Sequence, residues 1–177
     1  MKNKKHTQSP SRKAIYPGTF DPITRGHLDI ILRSVRIMDK LIIAVAYNVI
    51  KDTFFSLEER VDMVKNDIHL IIDKIPDASK IEIVGFKGLL IDFAKSNGTT
   101  LIIRGLRAVS DFEYEFQLFS ANHRLNSNIE TIFLPAKDST HFISATIIKE
   151  IARLKGDVSS FVSPYVKTKL TTKFSNK

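Results

Sequence analysis

Lys13-Ala14-Ile15-Tyr16-Pro17-Gly18-Thr19-Phe20-Asp21-Pro22-Ile23-Thr24-Arg25-Gly26-His27 is the stretch from which the rest of the chain can be read. A short apolar run, Ala14-Ile15-Tyr16, passes through Pro17 and Gly18 into a turn, and Thr24 stands where a helix takes its N-cap. Beyond it, Leu28, Ile31, Leu32, Val35 and Met38 recur at helical spacing and form one apolar face. This is a strand-turn-helix unit, and the pattern repeats. Residues 41–46, 81–84, 100–103 and 131–134 read as further strands. Their nearly continuous apolar character predicts a parallel sheet covered on both faces.

Helical signals lie between the strands. Leu57, Val61, Val64, Ile68 and Ile71 make the apolar face of a second helix, and further helices are expected over 89–97, 110–126, 145–155 and 163–173. Ser56 with Glu59 and Ser110 with Glu113 fit capping boxes, and Ser144 fits an N-cap. The alternation predicts an α/β protein: a single doubly wound, Rossmann-like domain with a five-stranded parallel sheet and right-handed crossovers. That domain is expected over 13–165. Residues 1–12 would be a flexible basic tail, and 166–177 a basic end, partly helical or disordered.

Composition narrows the chemistry. A chain of 177 residues, 43% hydrophobic and 26% charged, is sized for one substantial core. Without cysteine, disulfides, thiolate zinc sites, iron–sulfur clusters and cysteine nucleophiles are excluded. There is no apolar run of membrane-span length and no secretory signal at the N-terminus, so a cytoplasmic protein with no membrane partner is expected. The formal charge of +8 sits at the two ends: Lys2, Lys4, Lys5, Arg12 and Lys13 at one, and Lys167, Lys169, Lys173 and Lys177 at the other. The body between them carries 18 basic and 19 acidic residues, a net of −1, so the charge does not predict a specific nucleic-acid partner.

In such a sheet, ligands bind beyond the carboxyl ends of the strands, where strand order reverses. The turn after the first strand matches neither the P-loop nor G-x-G-x-x-G, yet it offers Gly18 for close backbone approach, the Thr19 hydroxyl, and Gly26 and His27 in a first helical turn that favours anions. After the fourth strand, Arg104 and Arg107 could clamp phosphate oxygens or simply pair with Asp111 or Glu115. Following the fifth, Thr140-His141-Phe142-Ile143-Ser144-Ala145-Thr146 places hydroxyls and amides at a helix start, suited to the outer phosphates of a nucleotide. His141 and Asp138 are too scattered to define a metal cage, and no protein metal site is assigned.

Gly18-Thr19-Phe20-Asp21-Pro22 followed by Thr24-Arg25-Gly26-His27 closely resembles the T/H-x-G-H signature of the nucleotidyltransferase α/β phosphodiesterase superfamily, with Thr19 and His27 as marker residues. Arg104-Gly105-Leu106-Arg107-Ala108-Val109 with Asp111-Phe112-Glu113-Tyr114-Glu115 narrows the resemblance to the bacterial phosphopantetheine adenylyltransferases, over roughly residues 13–165. It implies transfer of the adenylyl group of ATP, with Mg²⁺, to 4′-phosphopantetheine, a homohexamer, and coenzyme A as a feedback ligand. It also implies His27, Lys51, Arg104 and Thr19 as catalytic residues, with Thr19 orienting His27. Thr19, Phe20, His27, Gly105, Leu106, Arg107, Glu115 and residues 140–146 are implied for ATP, and Thr19, Lys51, Leu90 and Arg104 for phosphopantetheine. Two departures stand out: Lys51-Asp52-Thr53 replaces the family's Lys-Lys-Pro, and Ala145 replaces a serine.

A sister transferase with nicotinamide mononucleotide or a CTP-linked alcohol phosphate is the nearest alternative, and the segment from Arg104 to Glu115 argues against it. A nucleic-acid-binding module using the basic ends is the alternative from another class. Deleting the basic tails separates the two: transferase activity is expected to persist, while any nucleic-acid affinity that falls steeply with salt in titrations is expected to disappear.

Overall fold

The computed structural model describes residues 11–47, 52–75, 77–107, 109–137 and 144–175. Five parallel strands, β1 (Lys13–Gly18), β2 (Lys40–Ala46), β3 (Ile81–Phe86), β4 (Leu101–Leu106) and β5 (Glu130–Pro135), form one sheet in the order β3-β2-β1-β4-β5. The helices α1 (Arg25–Ile37), α2 (Leu57–Leu70), α3 (Leu90–Ser96), α4 (Val109–Leu125), α5 (Ala145–Arg153) and α6 (Pro164–Ser175) follow in turn, with two short 3₁₀ segments between α2 and β3. Among the described residues, no helix is long and apolar enough to cross a membrane.

Both faces of the sheet are buried, as the continuous apolar strands require. Alternation along each strand divides the core: Ala14, Tyr16, Leu41, Ile43, Val45 and Ile103 join the larger cluster, packed on α1, α2, α5 and α6. Ile15, Ile42, Ala44 and Ile102 point the other way, onto Phe86, Ile91 and Ala94. The strands run longer than the apolar runs alone suggest. Pro17 and Gly18 belong to β1, in register with Ala44 and Val45, rather than to a turn.

Capping signals mostly hold. Ser56 and Glu59 form a reciprocal capping box on α2, and Ser144 caps α5 through the Ile147 amide. The Ser110 and Glu113 box expected for α4 does not start it, because the helix begins at Val109. There the carboxylate of Asp111 reaches back to the Arg107 amide. At the N-terminal boundary, Arg12 pairs with Asp39; at the other end, α6 continues to Ser175 and buries Val166 and Leu170 completely.

The face of α2 that meets the core is not purely apolar. Met63, Val64 and Ile68 are accompanied there by Arg60 and Asp67, both buried. Asp67 Oδ1 accepts the Ser163 hydroxyl, while buried Oδ2 has no hydrogen-bond partner. Burial pushes this carboxyl up to about 6 against the opposing pull of the Ser163 hydrogen bond and the Arg25 charge. The folded state thus holds a proton that the unfolded chain has released, and stability present below about pH 4 is lost as pH rises through about 6. Replacing Asp67 by Asn removes that loss. Relative to wild type, Asp67→Asn is expected to gain on the order of 2 kcal/mol between pH 4.5 and 7.5, read from urea unfolding at the two pH values.

Candidate functional site

The site follows from a separation in the middle of the sheet. β1 is in register with β4 only at Ala14–Leu101 and Ile15–Ile102, whereas β1–β2, β2–β3 and β4–β5 each align over six positions. Here the connections leave the sheet in opposite directions, the point where an open α/β sheet presents its ligand crevice. A cleft of about 490 Å³ opens there, lined by the segment from Tyr16 to Asp21, by His27, by Arg104 and Arg107, and by Ser144, Ala145, Thr146 and Lys149 of α5's start.

His27 enters the cleft from the first turn of α1. Its Nδ1 accepts the Thr24 backbone N–H at 3.0 Å and lies 3.1 Å from the Thr24 hydroxyl, while the His27 amide donates to that hydroxyl at 3.4 Å. This is a capping box in which histidine takes the place usually held by a carboxylate side chain. Since Nδ1 is an acceptor, the neutral ring carries its proton on Nε2. Burial lowers the imidazole to about 4, and the Arg107 and Arg104 charges add to the effect. His27 is a neutral Nε2–H donor at physiological pH. Orientation of this ring was expected from Thr19; the contact in the structure is made by Thr24.

Phe20 braces the ring from one side, edge-on at 5.1 Å between centroids. Its backbone is left-handed, with φ 49°, and its ring lies over Gly18, where an added Cβ would come within 2.8 Å of it. The absence of a side chain at position 18 therefore makes room for Phe20, a packing reason beyond ligand approach.

Arg104 lies within β4, paired in register with Phe133, rather than after the strand as expected, and Arg107 follows the strand's end; both form the ion pairs that the sequence left open as an alternative, and both still line the cleft. Arg104 binds Glu115 through two donors, Nε to Oε2 at 2.7 Å and the second nitrogen to Oε1 at 2.5 Å, and donates to the Pro17 carbonyl at 2.9 Å. That carbonyl belongs to the part of β1 no longer paired with β4. Burial opposes the guanidinium charge, and the Glu115 hydrogen bonds and charge more than offset it, raising its pKa. A guanidinium has five N–H donors, so donors remain for a phosphate oxygen. Arg107 is held by Asp111 at 3.1 Å.

A second polar knot closes the cleft. Asp21, buried, accepts the amides of Phe54 and Phe55, each at 2.9 Å, and the Lys149 ammonium at 2.6 Å. It joins three segments: the turn after β1, the entry to α2, and α5. Arg60, also buried, donates to the carbonyls of Thr19 and Ala46. Neither Asp21, Lys149 nor Arg60 was singled out from the sequence, because their partners are 33 or more positions away for Asp21 and 14 or 41 for these Arg60 bonds.

Of the expected site residues, Thr19, Phe20, His27, Gly105, Arg104, Arg107, Glu115, Ser144, Ala145 and Thr146 are brought together around the cleft. Leu106 ends β4 outside the lining, and Leu90 opens α3, packed against the smaller core cluster. Lys51 and Thr140, His141, Phe142 and Ile143 lie outside the described residues. Among the described residues, no group of three or more histidine or acidic side chains is arranged to hold a metal.

The cytidylyltransferase-like family matches residues 15–151. A phosphopantetheine adenylyltransferase of Rhodospirillum rubrum is 51% identical over 164 residues, covering 92% of this chain and 93% of the relative. Another, from Wolbachia pipientis, is 54% identical over 156 residues, covering 88% and 89%. Among solved structures, the nicotinic acid mononucleotide adenylyltransferase of Plasmodium falciparum superposes with a TM-score of 0.63 at 15% identity, over 94% of this chain and 96% of that one, a likeness of fold.

The histidine geometry can be checked directly. Long-range ¹⁵N NMR of the free protein is expected to show His27 as the neutral Nε2–H tautomer from pH 8 down to pH 5, with protonation centred near the value of about 4. A midpoint near 6.5, the unperturbed histidine value of about 6.5, would show that neither burial nor the arginines act on the ring.

Proposed function

This chain belongs to the phosphopantetheine adenylyltransferase family of cytidylyltransferase-like proteins, and from that premise we propose that it transfers the adenylyl group of ATP to 4′-phosphopantetheine, reversibly, in coenzyme A biosynthesis. The observation that carries the reading is His27: a neutral ring with its donor on Nε2, set in a cleft beside two arginines and a helix start. That arrangement binds and polarises phosphates. The reaction asks for no covalent nucleophile.

An oxygen of the 4′-phosphate attacks the α-phosphorus of ATP as the bond to the β-phosphate oxygen breaks; the products are dephospho-coenzyme A and pyrophosphate. The attacking oxygen is already anionic, so no base has to remove a proton. Catalysis rests on alignment and on stabilising charge as it develops. His27 donates from Nε2 to an α-phosphate oxygen, Thr24 keeps that donor on the correct nitrogen, and Arg107 grips the nucleotide. Arg104 and Lys51 hold the attacking phosphate, and Thr19 lies between the two substrates. Ser144, Thr146 and the amides at the start of α5 receive the outer phosphates; Ala145 can contribute its N–H without the family's hydroxyl.

Asp21, Asp111 and Glu115 are each engaged by amides or cations, which fits a magnesium ion carried by the triphosphate and water as MgATP. Leu90 at the start of α3 serves the pantetheine arm. A cytoplasmic homohexamer with coenzyme A as feedback ligand completes the reading; Phe112 and Phe116, stacked on each other and exposed on one face of α4, offer an apolar surface that such an assembly would cover.

Pyrophosphate release from MgATP is expected with 4′-phosphopantetheine, accompanied by dephospho-coenzyme A in the mass spectrum, and absent with nicotinamide mononucleotide or no acceptor. Activity with nicotinamide mononucleotide instead would move the chain to a sister branch. Removing the His27 donor in His27→Ala is expected to lower turnover about a hundredfold or more while the protein stays folded. Turnover near the wild-type rate in that folded variant would remove His27 from catalysis.

A further inference from the structure

Among the described residues, Arg60 is the largest fully buried side chain that carries a formal charge, with 1% of its surface exposed. Among the described ion pairs it has no carboxylate partner within salt-bridge distance. Its donors go to backbone carbonyls instead: Thr19 at 2.6 Å, Ala46 at 2.8 Å, Phe55 at 3.2 Å and Ser56 at 3.3 Å. Burial draws its pKa below the ordinary arginine value against the opposing charges of Asp21 and Glu58. A buried cation is a poor device for stability alone, since an apolar side chain of similar volume often packs as well or better. What a guanidinium supplies here is a fixed fork of donors that holds several acceptors in set directions.

The four carbonyls belong to the segments that frame the cleft. Thr19 precedes Phe20, whose left-handed backbone sets its ring edge-on to His27. Ala46 ends β2, and Phe55 and Ser56 lead into α2; between them runs the connection containing Lys51. Arg60 thus binds both ends of that connection by their carbonyls, while Asp21 binds the far end by the Phe54 and Phe55 amides. One buried cation takes carbonyls, one buried anion takes amides, and each also touches or belongs to the turn after β1. Glu59 next to Arg60 is itself tied to Lys173 of α6, so the helix start bearing the fork is anchored from outside as well.

We propose that Arg60 is a positioning residue for adenylyl transfer: its guanidinium fixes the turn bearing Thr19 and Phe20 relative to the end of β2 and the entry to α2, and so holds the Phe20–His27 side of the cleft in place for the reacting phosphates. It acts through Thr19 and the segment ends and touches neither substrate. The assignment rests on the reading of the cleft as an adenylyltransferase site.

Arg60→Met and Arg60→Lys separate positioning from packing. Arg60→Met is expected to stay folded by circular dichroism, to bind ATP within about threefold of wild type by calorimetry, and to lose about tenfold to a hundredfold in kcat, because misplacement of bound groups slows the chemical step more than binding. Arg60→Lys keeps the charge without the fork and is expected to recover only part of that loss. A purely structural residue would lower the melting temperature and leave kcat per folded molecule unchanged, which overturns the proposal. If Arg60→Met does not fold, Arg60→Lys decides alone: wild-type kcat with a lone ammonium refutes the requirement for the fork.

Amide hydrogen exchange gives a readout independent of turnover. Loss of the fork is expected to speed exchange at Phe54 and Phe55 at least tenfold while the central strands stay protected; unchanged exchange would refute the bracing. Should the wild-type protein release no pyrophosphate with 4′-phosphopantetheine, the functional reading fails by itself, and the exchange experiment still decides whether Arg60 braces the segment.

Discussion

Beyond Ile15 and Ile102 the two central strands separate, and the cleft exists because they do. Connections from β1 and β4 depart to opposite sides of the sheet, so the backbone groups at those strand ends cannot pair with each other. Arg104 fills part of the gap by donating to the Pro17 carbonyl. Covering both sheet faces with helices keeps the strands buried and leaves the open end as the place where polar backbone, helix starts and charged side chains can meet a ligand.

Charge in this cleft is organised before any substrate arrives. Arg104 is paired with Glu115, Arg107 with Asp111 and Lys149 with Asp21. Each cation is therefore kept in place at the rim with a neutralising partner, which limits the cost of holding three positive groups together in a partly dry space. His27 is kept neutral by the same surroundings, as burial and the neighbouring guanidinium charges disfavour a further positive charge. Preorganised donors of this kind need little reorganisation as charge develops on a phosphate.

Helix α2 shows where hydrophobic patterning stops being informative. Leu57, Val61, Val64, Ile68 and Ile71 do join or pack against the larger core cluster, yet the fully buried stripe beside them also takes in Arg60, Met63 and Asp67, two of them charged residues. Spacing alone assigns charged residues to solvent. Arg60 is buried because four carbonyls converge on it, and Asp67 because Ser163 at the start of α6 meets it. Thr19, Ala46 and Ser163 come from other segments, and no local pattern announces them.

The order of strands and helices, the coverage of both sheet faces, the caps at Thr24, Ser56 and Ser144, and the placing of His27 and Arg107 beyond strand ends were determined by the sequence itself. Each depends on residues within a few positions of one another, on apolar period and on the few side chains able to cap a helix. Tertiary structure alone decided that Thr24 rather than Thr19 holds His27, that Gly18 makes room for Phe20, and that both arginines reach the cleft already paired. It also decided that α6 is part of the core and that Asp21 and Arg60 bind the site's segments together. Those outcomes depend on which carbonyls, amides and charges the packed sheet brings within hydrogen-bond distance, a matter of three-dimensional convergence that local spacing does not encode.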